Sequence, residues 1–286
     1  MESGPSRTAL ATAYARAYHQ VADRPPIFTD PLAAPLLGVD VDELTELSTR
    51  TGDQLGALMN DQARRLVFAA RARFAEDTIA RAVNSGTRQV VILGAGLDTF
   101  AYRNPYSNLR VFEIDHPATQ AWKRDRLASA GIDCPETVTL VPVDFETQDL
   151  AEELESTEFS RTEPAVFIWL GVVFYLTPSA AQATLEYIAG QAQPVEVVFD
   201  YLESPNTQEE RAHLRARSEQ LAKVGEPFVT HFTPDEIGRQ LRALGFTEVE
   251  DRPASDVVGM YLGELPEFPE QSARILRASR ILRARR

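Results

Sequence analysis

Cysteine is almost absent from this 286-residue chain: Cys134 is the only one, and there are four histidines. A single thiol excludes an intramolecular disulfide and a cysteine-based zinc cage, and no His/Cys/carboxylate group stands at metal-ligand spacing, so no metal is expected. No apolar stretch approaches the eighteen or so residues a membrane span needs, and no secretory leader is visible, so a reducing cytoplasm and no membrane partner are expected. Bases are outnumbered, 29 Lys and Arg against 42 Asp and Glu, for a net charge of −13. That balance argues against a general nucleic-acid binder.

One absence is local. Gly94-Ala95-Gly96 is followed by Leu97-Asp98-Thr99, so the third glycine of a G-x-G-x-x-G turn is missing. The four residues before it, Val90 to Leu93, form an apolar run that reads as a strand buried on both faces. The glycines let the chain turn sharply and approach a ligand closely. Strand, glycine turn and helix together open a nucleotide-binding α/β sheet. A second strand, 109–114, ends in Glu113-Ile114-Asp115, about twenty positions on, where a carboxylate suits a ribose hydroxyl pair. The two acids are expected on opposite faces, so that at most one reaches the ribose directly. Asp98 would repel a pyrophosphate, so a nucleoside without phosphates fits better than NAD. S-adenosylmethionine is such a ligand, and its sulfonium and amino groups favour an acidic pocket.

The remainder alternates. Helices are expected at 97–103, 117–130, 148–155 and 178–190, the last capped by Thr177, and strands at 138–143, 165–170 and 195–201. This is the pattern of a doubly wound, mostly parallel sheet, expected to have seven strands and a Rossmann-like fold. A charged helix spans 207–223. Thr233-Pro234-Asp235-Glu236 is a capping box that opens a helix ended by Gly245. Phe246 to Glu250 and Val257 to Leu262 read as an antiparallel edge pair. Before the core, 8–21 and 61–83 read as helices separated by a proline-broken stretch. Residues 1–86 are expected to lack a core of their own and to cap the sheet's ligand edge. The core is expected over 87–265, with 202–232 contributing to the cap, and 266–286 is read as a basic helix or tail. Residues 133–163 carry ten acids against Arg161 alone, whereas the last sixteen residues carry six arginines and no acid. Arg274, Arg277, Arg280 and Arg283, three apart, would form a drifting row on a helix.

Taken together, Ala70-Arg71, Leu93 to Thr99, Phe112-Glu113-Ile114-Asp115-His116-Pro117, Val143-Asp144-Phe145 and Trp169-Leu170-Gly171-Val172-Val173-Phe174-Tyr175-Leu176 give the chain a resemblance over roughly 10–265. It is similar to class I S-adenosylmethionine-dependent methyltransferases of the leucine carboxyl methyltransferase type, including bacterial O-methyltransferases. The resemblance implies that Gly94 and Gly96 pass under the methionyl part of the cofactor, with Ala95 and Asp98 also among the cofactor-binding residues. Asp115, with Glu113 beside it, would face the ribose. Asp144 would accept from the adenine amino group, with the Phe145 backbone at the ring edge. Arg71 would pair its guanidinium with the methionine carboxylate. That family often carries Glu where this chain has Leu170, which can offer only its carbonyl.

The expected reaction is methyl transfer to a carboxylate or hydroxyl of a small, polyketide-like molecule, leaving S-adenosylhomocysteine. A carboxylate acceptor is ionised near neutral pH and needs no base, whereas a phenol or alcohol does. His231 is the first candidate base. His116 reads as cofactor-side or structural, and His19 and His213 as surface residues. Three alternatives stand beside this reading: methylation of a protein C-terminus, a binding protein that holds the cofactor without catalysis, and a nicotinamide oxidoreductase, which Asp98 and the missing glycine disfavour. Composition leaves the oligomeric state open.

Overall fold

A computed structural model describes residues 6–50, 54–144, 148–223 and 225–286. Phe145 lies outside the described residues. The seven strands are β1 (Gln89–Leu93), β2 (Arg110–Asp115), β3 (Val138–Pro142), β4 (Ala165–Trp169), β5 (Val195–Leu202), β6 (Glu248–Pro253) and β7 (Ser279–Arg285), in the spatial order β3-β2-β1-β4-β5-β7-β6. Strands β1 to β5 pair in parallel, while β7 runs antiparallel to both β5 and β6. The order reverses at β1, where β2 lies on one side and β4 on the other. Such a switch point opens a crevice at the carboxyl ends of the strands.

Both faces of the sheet are covered, which is why its central strands are continuous apolar runs. Val90 and Ile92 pack with the helix Gln62–Asn84 and with the helices 254–262 and 270–278. Val91 and Leu93 point the other way, toward the helices 150–155, 178–189 and 234–243. Capping is as expected where the side chain is short and polar. Thr177 and Thr233 accept from the amides three residues on, and Glu236 returns a bond to Thr233 N–H.

Several expectations need correction. Helix 97–103 shortens to Phe100–Arg103, because Leu97 to Thr99 complete the glycine turn. Residues 257–262 belong to the helix Ala254–Leu262, with Ala254, Val257, Val258, Tyr261 and Leu262 turned to the core at helical spacing. The partner of β6 is instead β7, inside the stretch expected to be a basic helix or tail. That strand is not solvated: Ile281, Leu282 and Ala284 are fully buried. Its arginines keep their stems in the sheet and their heads on acids of the flanking strands, Arg280 on Asp251 at 2.9 Å and Arg283 on Glu196 at 2.7 Å.

The N-terminal segment divides in two. The 62–84 helix is part of the main core. Ahead of it, Ala13, Ala17, Leu36, Leu37, Leu44 and Met59 form a smaller core that residues of the sheet domain complete, Leu97 and Leu127 buried in it and Tyr102, Trp122 and Ile132 packed against it. His19 is not a surface residue: it is fully buried, donating from Nδ1 to Asp23 at 2.9 Å and accepting Ile27 N–H at Nε2.

Candidate functional site

Strand β1 runs into Gly94 and Gly96, both in the left-handed region at φ +64° and +49°, where only glycine is at ease. A side chain at Gly94 would collide with Val172, and one at Gly96 would press on Ala9. The turn therefore brings β1, the loop after β4 and the N-terminal helix into close approach. Buried Ala95 donates its N–H to Ile114 O at 3.0 Å, and Asp98 accepts from Phe100 N–H at 2.7 Å, opening the short helix 100–103. The N-terminal segment fixes the same turn from outside. Arg16 donates to Leu97 O at 2.7 Å and to Asp30 at 2.7 Å, and Asp30 takes the Thr99 hydroxyl at 2.7 Å.

The two acids of β2 stand two residues apart and so share a face, contrary to the expected divergence. Their partners separate them. Glu113 is fully buried, with Lys123 Nζ within 2.9 Å of both its oxygens and the Tyr102 hydroxyl 3.0 Å away. Asp115 accepts the Gly96 N–H on one oxygen and the His116 N–H, at 2.6 Å, on the other. Burial raises its carboxyl above the usual range, opposed by those two backbone bonds. A carboxylate has about four acceptor positions. Asp115 therefore keeps capacity for a hydroxyl pair, while Glu113 is committed to Lys123. His116 caps the 117–129 helix, its Nδ1 accepting Ala118 N–H at 3.2 Å. Asp144 follows β3 at the same end of the sheet, half-buried, its N–H bonded to Gln148 Oε1.

Arg71, near the middle of the pre-core helix, reaches the ends of β4 and β5. Its Nη1 stands 2.6 Å from Asp200 Oδ2, and its guanidinium lies over Phe68. Asp200 Oδ1 accepts Gly171 N–H at 2.6 Å. Both side chains are buried. Trp169 pairs with Phe199 across β4 and β5, so the next residues, Leu170 and Asp200, are neighbours at the strand ends. A carboxylate thus stands beside position 170 after all, supplied by the adjacent strand. Leu170 itself is half-buried against the core. An acid closing the apolar run 197–199 is the signal that could have found Asp200.

Next to this pair opens a cavity of about 780 Å³. Thr8 and Thr12 line it from the N-terminal helix, Arg64 and Phe68 from the pre-core helix, and Phe174 and Tyr175 from the loop after β4. Leu214, Arg217 and Phe228 close it from 202–232, and 270–279 adds a further wall. Tyr175 and Phe228 ring centroids are 5.7 Å apart. Burial pushes the Tyr175 hydroxyl up to about 12, which makes it a hydrogen-bond donor rather than a base near neutrality. His231 is exposed and does not line the cavity itself, but bonds the Oγ of Ser204, a lining residue, at 3.0 Å. The cavity's histidine is His213, lowered by burial and by Arg274, Arg217 and Arg64.

The residues at the strand ends fit S-adenosylmethionine: a left-handed glycine turn, an acid with spare acceptor capacity after β2, and a buried Arg–Asp pair where charged amino and carboxylate groups would sit. Among the described residues no group of three or more His, Cys, Asp or Glu could hold a metal ion, and no helix is long and apolar enough to cross a membrane.

Comparison with known proteins agrees. Residues 9–189 match the family described as leucine carboxyl methyltransferase. YktD of Bacillus subtilis (strain 168), named as an S-adenosyl-L-methionine-dependent methyltransferase, is 31% identical over 280 residues, which is 90% of this chain and 91% of YktD. A Mycobacterium sp. (strain KMS) protein with the same kind of name is 35% identical over 79% of this chain and 77% of its own. Among solved structures, a DUF574 family protein from Streptomyces avermitilis MA-4680 superposes with a TM-score of 0.58 at 14% identity, covering 99% of this chain and 98% of its own, a likeness of fold.

Proposed function

Since the chain belongs to the leucine carboxyl methyltransferase family, and so is an S-adenosylmethionine-dependent methyltransferase, we propose that it methylates an oxygen, carboxylate or hydroxyl, of a small apolar acceptor held in the 780 Å³ cavity beside Arg71 and Asp200. The cavity carries this reading: it has the size of a small-molecule pocket, the aromatic rings of Phe68, Phe174, Tyr175 and Phe228 on its wall, and Gly171, where the cofactor's methionyl end would lie, among its lining. When bound, S-adenosylmethionine supplies an electrophilic methyl group on a sulfonium. Arg71 would clamp the methionine carboxylate, Asp115 the ribose, and Asp144 the adenine edge. The protein's task is then alignment, which can supply several kcal/mol of the barrier. Phe68, Phe174 and Phe228 exclude water around the acceptor. Residence in the cytoplasm, without nucleic acid or membrane partners, belongs to the same proposal.

The test is turnover of methyl-labelled cofactor against a panel of aromatic and aliphatic acids and phenols. Label recovered as a base-labile ester or as a stable ether identifies the acceptor oxygen. Label on nitrogen, carbon or sulfur acceptors alone would overturn the reading.

A further inference from the structure

The cavity wall contains two guanidinium groups with hydrogen-bond donors that the protein leaves unmatched. Its acids are each occupied. Asp200 holds Arg71 and Gly171, Glu203 pairs with Arg280 at 3.0 Å, Glu209 with Arg274 at 2.7 Å, and Glu270 with Arg277 at 2.5 Å. Glu210 takes the Asn206 and Thr207 N–H groups in its capping box. Asp61 caps its helix and forms an ion pair with Arg64, 3.6 Å from Nε and beyond hydrogen-bond reach. Against these, Arg217 makes neither a hydrogen bond nor an ion pair among the described residues; it only overlies Phe228, at 6.0 Å. Arg64 Nε is buried without a hydrogen-bond partner. A guanidinium offers five donors, and leaving them half-buried and unmatched is unfavourable. The two arginines also repel one another: burial, then the charge of Arg64, lowers Arg217 to about 10.

Their place in the cavity is fixed by the helix. Arg64 precedes Arg71 by seven residues, two turns on one face, about 10 Å along the axis. Between them the wall is apolar, with Val67 and Phe68 on the helix and Phe174 and Phe228 opposite. An occupant reaching from Gly171 to Arg64 therefore crosses an apolar stretch and ends on two guanidinium groups, Arg217 with no ion-pair partner among the described residues and Arg64 sharing only the helix-capping Asp61. The acids already on the wall disfavour a dianion there, whereas a carboxylate matches an arginine fork with one charge.

We propose that Arg64 and Arg217 form an anion-binding subsite, two helical turns from Arg71, that anchors a carboxylate carried by the methyl acceptor on an apolar body. The subsite rests on the methyltransferase reading and names what that cavity selects. It is a second recognition point, apart from the oxygen that receives the methyl group.

Calorimetry on the full chain loaded with S-adenosylhomocysteine tests it, with trans-cinnamate, cinnamamide and phenyl phosphate as probes. Cinnamate should bind about tenfold or more tightly than either other probe, and Arg64→Gln or Arg217→Gln should each weaken it by a similar factor, with the S-adenosylhomocysteine affinity held. Cinnamate that fails to bind, binds no better than its amide, or is unaffected by both substitutions overturns the subsite; phenyl phosphate binding best overturns its carboxylate chemistry. Arg217→Glu, facing Arg64, should keep or raise the melting temperature while abolishing cinnamate binding. A lowered melting temperature would make Arg217 a structural residue and overturn the proposal. Absence of S-adenosylhomocysteine binding would instead strike the methyltransferase reading, and the probe and melting arms can be read without it.

Discussion

Arg71 and Asp200 form a buried ion pair, 2.6 Å from Nη1 to Oδ2, that ties the pre-core helix to the ends of β4 and β5. The tie exists without any ligand, and the helix around Arg71 is already packed into the main core. A cap that closes on the cofactor must therefore lie elsewhere. The 7–22 helix is the better candidate, since Ala9 abuts Gly96 and Arg16 holds Leu97 O. Hydrogen exchange on addition of S-adenosylhomocysteine should slow in 7–22 and change little in 62–84. Slowing confined to 62–84 would return the gate to the Arg71 helix. Asp200→Asn, which strands a buried guanidinium, should cost about 3 kcal/mol of stability and weaken cofactor binding, as read by denaturant unfolding and calorimetry.

The two acids of β2 make a paired test. Asp115→Ala should weaken S-adenosylhomocysteine by about 1–3 kcal/mol with modest change in stability. Glu113→Gln should do the reverse, losing about 3 kcal/mol of stability because Lys123 is left buried and unpaired. If Glu113→Gln is the one that lowers affinity in a folded protein, the ribose acid has been assigned to the wrong residue.

Asp144→Ala should weaken S-adenosylhomocysteine by about 1–3 kcal/mol, the loss for one hydrogen bond to a buried polar partner. An unchanged dissociation constant would leave Asp144 as a chain-turn acid ahead of the 150–155 helix.

What could be read from sequence follows burial. Strands β1 and β4 are covered on both faces and read as apolar runs, and β2 and β5 are apolar but for their acids, so the glycine turn and the strand-end acids could be placed on them. Strand β7 was hidden because its arginines invite counting in threes. Their heads are neutralised by Glu196 and Asp251 on neighbouring strands and by Glu203 just after β5, a compensation no local window contains. Val257 and Val258 suggested a strand by residue type, while the spacing 254, 257, 258, 261, 262 carried the helix. The cavity was least legible, because Arg64, Tyr175, Arg217 and Phe228 meet only once the chain has folded.

The burial of β7 yields a prediction about the C-terminus. Removing 279–286 takes a strand from between β5 and β6 and exposes the fully buried neighbours of Ile281 and Leu282. The truncated chain should fail to fold cooperatively, and Leu282→Ala alone should cost about 3 kcal/mol. A truncated protein with unchanged circular dichroism and melting would mean the segment is dispensable.

The N-terminal core gives a prediction that depends on pH. Asp23 is buried and accepts from His19 at 2.9 Å, from Arg65 Nε and Nη2 at 3.0 Å each, and from Gln62 at 3.0 Å. Burial alone would raise its carboxyl; the bonds from His19 and Arg65, with the arginine's charge, overcome that and lower it from 3.8 to about 2. A carboxyl whose folded value is depressed contributes stability that is present above its unfolded value and is lost as pH falls through the folded one. The contribution should therefore be complete above about pH 4 and disappear toward pH 2. Asp23→Asn should cost about 3 kcal/mol at neutral pH, because Arg65 is left buried without its counterion. The difference in melting temperature between wild type and Asp23→Asn should stay constant from pH 7 to about 4 and close between about 4 and 2. Other carboxylates titrate in that range in both proteins, so the difference, rather than either curve, isolates Asp23. A gap that stays constant down to pH 2 would mean that Asp23 contributes by shape and neutral hydrogen bonding, and that its charge is not what joins the 7–22 helix to Arg65.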